Sequence, residues 1–210
     1  MITVLIADDH AFIREGIKNL ITQEYDIKVV AETANPLEII ELATKHKPNI
    51  LILDLSMPGK DGLDVLKEIK LQVPDTKVLI MTMMAEDQFA VRTLKAGASG
   101  YLTKDSAPEE LIKAIRKIYS GKKYISATLA EKLANDIDST LDKNPIEVLS
   151  DREFQILKLL AAGKSQTDIA GELSLSTSTV NTYRSRILEK LNLHSNAELI
   201  HFALTNHLID

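Results

Sequence analysis

Cysteine and tryptophan are absent from the 210-residue sequence, and aromatic residues make up only 4% of it. Without cysteine the chain has no disulfide scaffold, no thiolate nucleophile, no cysteine-ligated zinc finger and no iron–sulfur cluster. Any metal ion must therefore be held by oxygen ligands or by one of the five histidines.

Long apolar runs are also missing. No stretch approaches the roughly 18 residues of a membrane-spanning helix. The first ten residues (MITVLIADDH) lack the basic segment and the small-residue cleavage site of a secretion signal. We therefore expect a cytoplasmic protein that has no membrane partner.

The remaining composition is that of a folded protein, with 45% hydrophobic and 26% charged residues. At on the order of 100 to 200 residues per domain, the length favours two small domains over one large one. The formal net charge of −5 argues against a general nucleic-acid binder. In a chain of two domains, however, charge has to be assessed for each domain separately.

Five short, mostly apolar runs alternate with helical stretches in the first half of the chain. Because the runs lack strict alternation of polar and apolar residues, they are typical of strands buried on both faces of a parallel sheet. We predict a doubly wound, flavodoxin-like α/β domain over residues 1–121, with strand order 2-1-3-4-5. The predicted strands are Thr3 to Ala7, Ile27 to Ala31, Ile50 to Leu53, Lys77 to Met81 and Ser99 to Leu102.

The second half of the chain has helical patterns and no strand-like runs. We predict a linker over residues 122–145, with a helix at 127–137, and a small all-α domain of four helices over residues 146–210. Each of these four helices follows a serine that can cap its first turn, and the serines are Ser150, Ser165, Ser176 and Ser195. A short connection at Ser174-Leu175 joins the second and third helices, as in a helix-turn-helix motif.

Polar side chains follow four of the predicted strands. Asp8 and Asp9 follow the first strand and Asp54 follows the third, so three carboxylates should meet at one edge of the sheet. Such a cluster needs a counter-ion, and Mg²⁺ is the expected one. Thr82 and Lys104 at the ends of the fourth and fifth strands complete a set suited to phosphoryl transfer to a carboxylate. Each residue alone could be an ordinary turn or capping residue, whereas the combination indicates a site.

These residues resemble the receiver domains of bacterial two-component response regulators. The resemblance covers residues 2–120 and includes Asp8-Asp9, Asp54 in ILDLSMPGKDG, Thr82 in LIMTMM and Lys104 in GASGYLTKD. It implies that Asp54 accepts a phosphoryl group from a sensor histidine kinase. It further implies that Asp8, Asp9, Asp54 and the Ser56 carbonyl hold Mg²⁺, and that Lys104 and Thr82 contact the phosphoryl oxygens. Tyr101 matches the family's switch aromatic, although an aromatic that merely fills space in the strand is an equal alternative.

The third helix of the second domain, from Thr177 to Leu191, has two contrasting faces. Val180, Tyr183, Ile187 and Leu191 form an apolar face that we expect to be buried. The opposite face and its flanks carry the residues that we predict to bind DNA: Ser178, Asn181, Thr182, Arg184, Ser185, Arg186 and Lys190. A merely solvated polar face is the alternative, and eight acidic residues against six cations after residue 145 weaken non-specific attraction to phosphate.

Residues 149–193 resemble the LuxR-type DNA-binding domain, and with the receiver they are similar to the NarL/FixJ subfamily. This resemblance implies a transcription regulator that binds double-stranded DNA and forms a homodimer when phosphorylated. Asn181 stands where the family commonly has lysine, and an asparagine there could bond adenine.

Two other functions remain open. A Mg²⁺-dependent aspartyl-phosphate phosphohydrolase would also use an aspartate nucleophile and a lysine. It would, however, need a second aspartate at position 56, which is serine, and a cap domain. A receiver that works as a phosphorylation-independent interaction module would not need the complete set of pocket residues. We therefore expect no enzymatic activity beyond self-phosphorylation and dephosphorylation at Asp54.

Overall fold

The computed structural model describes residues 1–84, 86–106, 108–127, 129–131, 145–173, 175–206 and 208–209. The chain divides into two compact units, Met1–Ala134 and Asn135–Asp210. The predicted domain limits at 121 and 146 stay predictions, since most of the predicted linker lies outside the described residues. None of the described helices has the length and the apolar character that a bilayer crossing requires.

The first unit is built on a five-stranded parallel sheet with the predicted order β2-β1-β3-β4-β5. Its strands are β1 (Ile2–Ala7), β2 (Ile27–Thr33), β3 (Ile50–Leu53), β4 (Lys77–Thr82) and β5 (Gly100–Thr103). Burial on both faces holds for β3, whose four residues are all buried. It is wrong for β2, where only the first and last residues are buried, because β2 forms an edge of the sheet.

Helices follow the strands as a doubly wound fold requires: α1 (Ala11–Thr22), α2 (Ile39–His46), α3 (Gly62–Gln72), α4 (Glu86–Lys95) and α5 (Pro108–Tyr119). Side chains of α1 and α5 share one apolar cluster with β1, β3 and β4. Consecutive parallel strands joined through helices bring all their carboxyl ends to one edge of the sheet.

The chain beyond α5 continues to belong to the first unit. Tyr124 forms a bridge beside Gly100 on β5. Its backbone N–H donates to Ser99 O at 2.9 Å, and its carbonyl accepts from Tyr101 N at 3.2 Å. Residues 127 and 129–131 are helical, where the predicted helix 127–137 begins, while its residues 128 and 132–137 lie outside the described part. The strand edge of β5 is therefore covered by the chain itself.

The second unit contains α6 (Asp151–Ala161), α7 (Gln166–Glu172), α8 (Thr177–Lys190) and α9 (Asn196–Thr205), preceded by a 3₁₀ turn at Pro145–Val148. All four predicted serine caps are confirmed, since each serine hydroxyl accepts a backbone N–H of the first turn that follows it. Helix α8 packs against α6 and α7, while α9 packs against α6. The predicted α7–α8 connection includes Ser174, which lies outside the described residues.

Candidate functional site

Three buried charges meet at the carboxyl edge of the sheet. The Lys104 ammonium, after β5, lies 2.7 Å from Asp54 Oδ2 and 2.7 Å from Asp8 Oδ2. The side chains of these three residues are at most 3% exposed. The strand ladder fixes their places, because Asp54 N donates to Ala7 O at 2.9 Å and Lys104 N donates to Thr82 O at 2.9 Å. Strands far apart in sequence thus deliver two carboxylates and one cation to a single pocket.

The pocket keeps its lysine charged. Burial lowers the pKa of Lys104, but the hydrogen bonds from its ammonium to Asp54 and Asp8 outweigh burial, so the pKa lies above its usual value. One cation thus faces two buried carboxylates, and Asp9 adds a third acidic group beside them. The acidic groups outnumber the ammonium, so the pocket has an excess of negative charge that a further cation can neutralise.

Asp9 and His10 complete the acidic side of the pocket. Single ligand atoms of Asp8, Asp9, His10 and Asp54 all lie within 4.8 Å of one another. Asp9 Oδ1 is a buried atom that accepts no hydrogen bond, although His10 Nδ1 lies 2.7 Å away. A carboxylate oxygen that lies beside an exposed histidine ring and among other carboxylates can also bind a hard divalent cation. The residues present therefore fit a Mg²⁺ ion.

Two hydroxyl-bearing residues, Ser56 and Thr82, belong to the same site. The Ser56 backbone N–H donates to Asp54 Oδ1 at 3.0 Å, which leaves Oδ2 to Lys104. Thr82 is fully buried, and its hydroxyl lies 3.5 Å from Ser56 Oγ and 3.5 Å from Met84 N. Both carboxylate oxygens of Asp54 are thus hydrogen-bonded, and the carboxylate is held in one orientation.

Tyr101 lies inside the sheet domain and is fully buried. Its hydroxyl donates to Met84 O at 2.8 Å and so ties β5 to the segment that follows Thr82. A buried tyrosine hydroxyl takes a hydrogen-bond partner under both interpretations left open by the sequence, so the switch role of Tyr101 stays a prediction. The contact joins Tyr101 to the loop of one predicted phosphoryl contact, Thr82.

Helix α8 of the second unit has the two faces that its periodicity predicts. Val180 and Ile187 are buried, and Tyr183 and Leu191 are half-buried. Six of the seven predicted DNA-contact residues are exposed, and Arg184 is half-buried; the exposed ones are Ser178, Asn181, Thr182, Ser185, Arg186 and Lys190. A row of small hydrogen-bonding side chains beside a cation is what base-edge and phosphate contacts need.

Arg184 and Lys190 are predicted DNA-contact residues whose charged groups bond to neighbouring helices. Arg184 Nε donates to Asn196 Oδ1 on α9 at 2.6 Å. Lys190 Nζ donates to Glu153 Oε2 on α6 at 2.7 Å. Asn196 and Glu153 could not be predicted as these partners, because nothing in the local pattern of α8 shows which helices cross it.

Two family profiles match the chain. The profile described as "Response regulator receiver domain" matches residues 4–116, and the one described as "Bacterial regulatory proteins, luxR family" matches residues 147–203. The chain belongs to the two-component response regulators. Its second unit identifies it as a response regulator with a LuxR-type helix-turn-helix domain, a family of transcription regulators rather than classical enzymes.

Relatives of this response regulator match over its whole length. It is 39% identical over 215 residues to the oxygen regulatory protein NreC of Staphylococcus epidermidis, with 99% of each chain covered. It is 36% identical over 209 residues to the response regulator UvrY of Escherichia coli, covering 99% of this chain and 96% of UvrY. Among solved structures, RcsB of Salmonella typhimurium has a TM-score of 0.78 at 27% identity, with 98% of both chains covered.

The pocket of the response regulator includes two residues that the sequence analysis did not select. His10 N donates to Asp8 Oδ1 at 2.8 Å. Arg14 Nη1 donates to the Asp8 carbonyl at 2.8 Å, and Arg14 Nε lies 3.4 Å from a Glu32 oxygen. A usable signal was present, because α1 begins two residues after Asp9 and Arg14 belongs to its first turn.

Proposed function

We propose that Asp54 is the phosphoacceptor of this response regulator and that its phosphorylation by a sensor histidine kinase controls sequence-specific binding of double-stranded DNA. The observation that carries the proposal is the position of Asp54. Its side chain is 1% exposed. One carboxylate oxygen accepts a hydrogen bond from Lys104, and the other accepts a hydrogen bond from the Ser56 N–H. Asp8 has donors of the same kind, Lys104 and the His10 N–H. Asp54 differs because it follows the central strand β3 and accepts from Ser56, whose hydroxyl lies 3.5 Å from that of Thr82.

In the proposed step, an oxygen of Asp54 forms a bond to the phosphorus of a kinase phosphohistidine while the phosphorus–nitrogen bond breaks. Lys104, held charged at 2.7 Å, stays beside the oxygens that arrive with the phosphoryl group. Thr82 would offer its buried hydroxyl, which lies 3.5 Å from Ser56 Oγ. Asp8, Asp9, Asp54 and the Ser56 carbonyl would hold Mg²⁺, which supplies charge neutralisation for phosphoryl transfer.

The DNA interface that we propose is the exposed outer face of α8. Ser178, Asn181, Thr182 and Ser185 would read base edges, and Arg186 would contact phosphate, with Arg184 and Lys190 nearby. One relative supports this proposal, because RcsB has been solved bound to the rprA promoter in the presence of the phosphomimetic BeF₃⁻. Another RcsB structure has two dimers on two parallel DNAs, and we propose a homodimer on DNA for this chain as well.

The two competing functions fit the pocket less well. A phosphohydrolase needs an acid two residues after the nucleophile, and Ser56 is an exposed hydroxyl there. A phosphorylation-independent module has no use for a buried lysine that is held between two carboxylates, since burying unneeded charges is unfavourable.

An acyl-phosphate assay tests the proposal. The purified chain is incubated with Mg²⁺ and acetyl phosphate and is then measured by intact-mass spectrometry. Asp54→Asn keeps the size of the side chain but removes the nucleophile, so we expect its phosphoryl adduct to disappear. Asp75→Asn, in an exposed turn outside the pocket, is the matched control and should be phosphorylated like the wild type. If Asp54→Asn formed the phosphoryl adduct in the same yield as the wild type, the assignment of Asp54 as the phosphoacceptor would be refuted.

A further inference from the structure

The last residue of helix α8 is exposed, but its ammonium bonds back to its own domain. Lys190 Nζ donates to Glu153 Oε2 at 2.7 Å and to the Val148 carbonyl at 3.3 Å. Glu153 belongs to the first turn of α6 and its side chain is only 4% exposed, whereas that of Lys190 is 41% exposed. The ammonium thus lies at the surface with two of its three donors directed inward.

Glu153 also has a structural role that does not involve Lys190. It completes the capping box of α6, since Ser150 N and Ser150 Oγ both donate to Glu153 Oε2 at 2.8 Å. Burial raises the pKa of Glu153, but the bonds from Lys190 and Ser150 outweigh burial and hold the pKa below its usual value. The carboxylate is therefore ionised, buried and dependent on a cation.

We propose that Lys190 is a positioning residue, which fixes the carboxyl end of α8 on the first turn of α6, and not a contact to DNA phosphate. The inference rests on the proposed DNA-binding function of α8. Turning the Lys190 ammonium toward DNA would leave the Glu153 carboxylate buried without its cation, which is strongly unfavourable. The base-reading residues lie on the same helix, so the Lys190–Glu153 pair sets the angle at which α8 enters a groove.

Arg186 provides the matched comparison. It lies on the same helix, one turn before Lys190, and it is exposed on the outer face. If both cations touched phosphates, their removal would change the salt dependence of DNA binding equally. The proposal predicts that they differ.

The experiment uses the full chain activated with BeF₃⁻ and Mg²⁺. Its probes are a random-sequence duplex and a duplex that the wild type selects from a random pool. Arg186→Met should make the slope of log K against log salt shallower by about one unit on both duplexes. Lys190→Met should leave the slope unchanged and weaken binding to the selected duplex about tenfold more than binding to the random one. Lys190→Arg should restore this preference.

A second measurement joins Lys190 to Glu153. Glu153→Gln keeps the hydrogen bonds of the capping box but removes the charge. Lys190→Met should therefore lower the melting temperature less in the Glu153→Gln background than it does in the wild type. This double variant also supplies the salt-slope measurement if Lys190→Met alone does not fold.

The outcomes separate the inference from the function on which it rests. A slope that becomes shallower in Lys190→Met, or equal losses of melting temperature in the two backgrounds, would overturn the positioning role alone. A wild type that selects no duplex from the pool would refute the proposed DNA-binding function, and the inference with it.

Discussion

Gly62 offers the sharpest test of how the pocket is held. It is the first residue of α3, and a Cβ added there would lie 2.5 Å from Leu55 Cα and 3.0 Å from Leu55 O. Leu55 stands between Asp54 and Ser56, so the obstructing atoms belong to the backbone of the phosphoacceptor loop. Because backbone cannot rotate away as a side chain can, Gly62→Ala has to displace this loop.

The size of the effect follows from the clash. Forcing an extra carbon into a packed site destabilises by about 1 to 3 kcal/mol. The displaced loop also carries Asp54 away from the Lys104 ammonium, now 2.7 Å distant. Since a misplacement of about 1 Å can slow a reaction on the order of 100-fold, we expect phosphorylation by acetyl phosphate to slow by about 10- to 100-fold.

Gly16→Ala is the matched control. Gly16 lies inside α1, and a Cβ there would meet nothing within 4 Å. Alanine in a helix interior is favoured by roughly 0.5 to 1 kcal/mol, so this variant should be more stable than the wild type and phosphorylated at the same rate. Urea titrations followed by circular dichroism give the stabilities. If Gly62→Ala unfolds within about 0.5 kcal/mol of the wild type, the argument from the Leu55 backbone is wrong.

Three further predictions concern single side chains. Asp9→Asn should weaken Mg²⁺ binding in a titration while sparing or raising thermal stability, because Asp9 Oδ1 accepts no hydrogen bond. Glu153 has a folded-state pKa below its usual value of 4.5, so its ionised carboxylate contributes stability above pH 4.5. This contribution is lost as the pH falls through the folded-state pKa. In urea titrations from pH 6 downward, the free energy of unfolding should therefore decline less steeply for Glu153→Gln than for the wild type. Asn181→Ala should cost about 1 to 3 kcal/mol on the selected duplex and relax preference at one base pair, and equal weakening on random DNA would contradict base reading.

The sheet and its pocket could be predicted because both depend on a short-range pattern. Apolar runs predict the strands, and parallel order brings their carboxyl ends together. Polar residues at the ends of four of the five strands then belong to the pocket. The extension of β2 to Thr33 could not be predicted in this way. Glu32 and Thr33 are polar, and they belong to the strand because they pair with Ile6 and Ala7, which no local pattern reveals.

The polar partners of α8 could not be predicted from the sequence for a related reason. The motif Ser150-Asp-Arg-Glu153 predicts a capping box, which the structure confirms. It contains no sign that the same carboxylate meets Lys190, 37 residues later, because that contact depends on how α6 and α8 cross. Likewise, the burial of Tyr101 followed from its strand, but its bond to Met84 O depends on the course of a loop.

The pairing of Tyr124 with β5 determines where the receiver can be separated from the rest of the chain. A fragment that stops at residue 121 would uncover the Ser99 carbonyl and the Tyr101 N–H, which Tyr124 now satisfies. An uncovered strand edge is a template on which a second chain can add a strand. Such a fragment should self-associate edge to edge, whereas one that retains residues 122–131 should stay monodisperse. The stretch after α5 thus protects the edge strand of the sheet from aggregation.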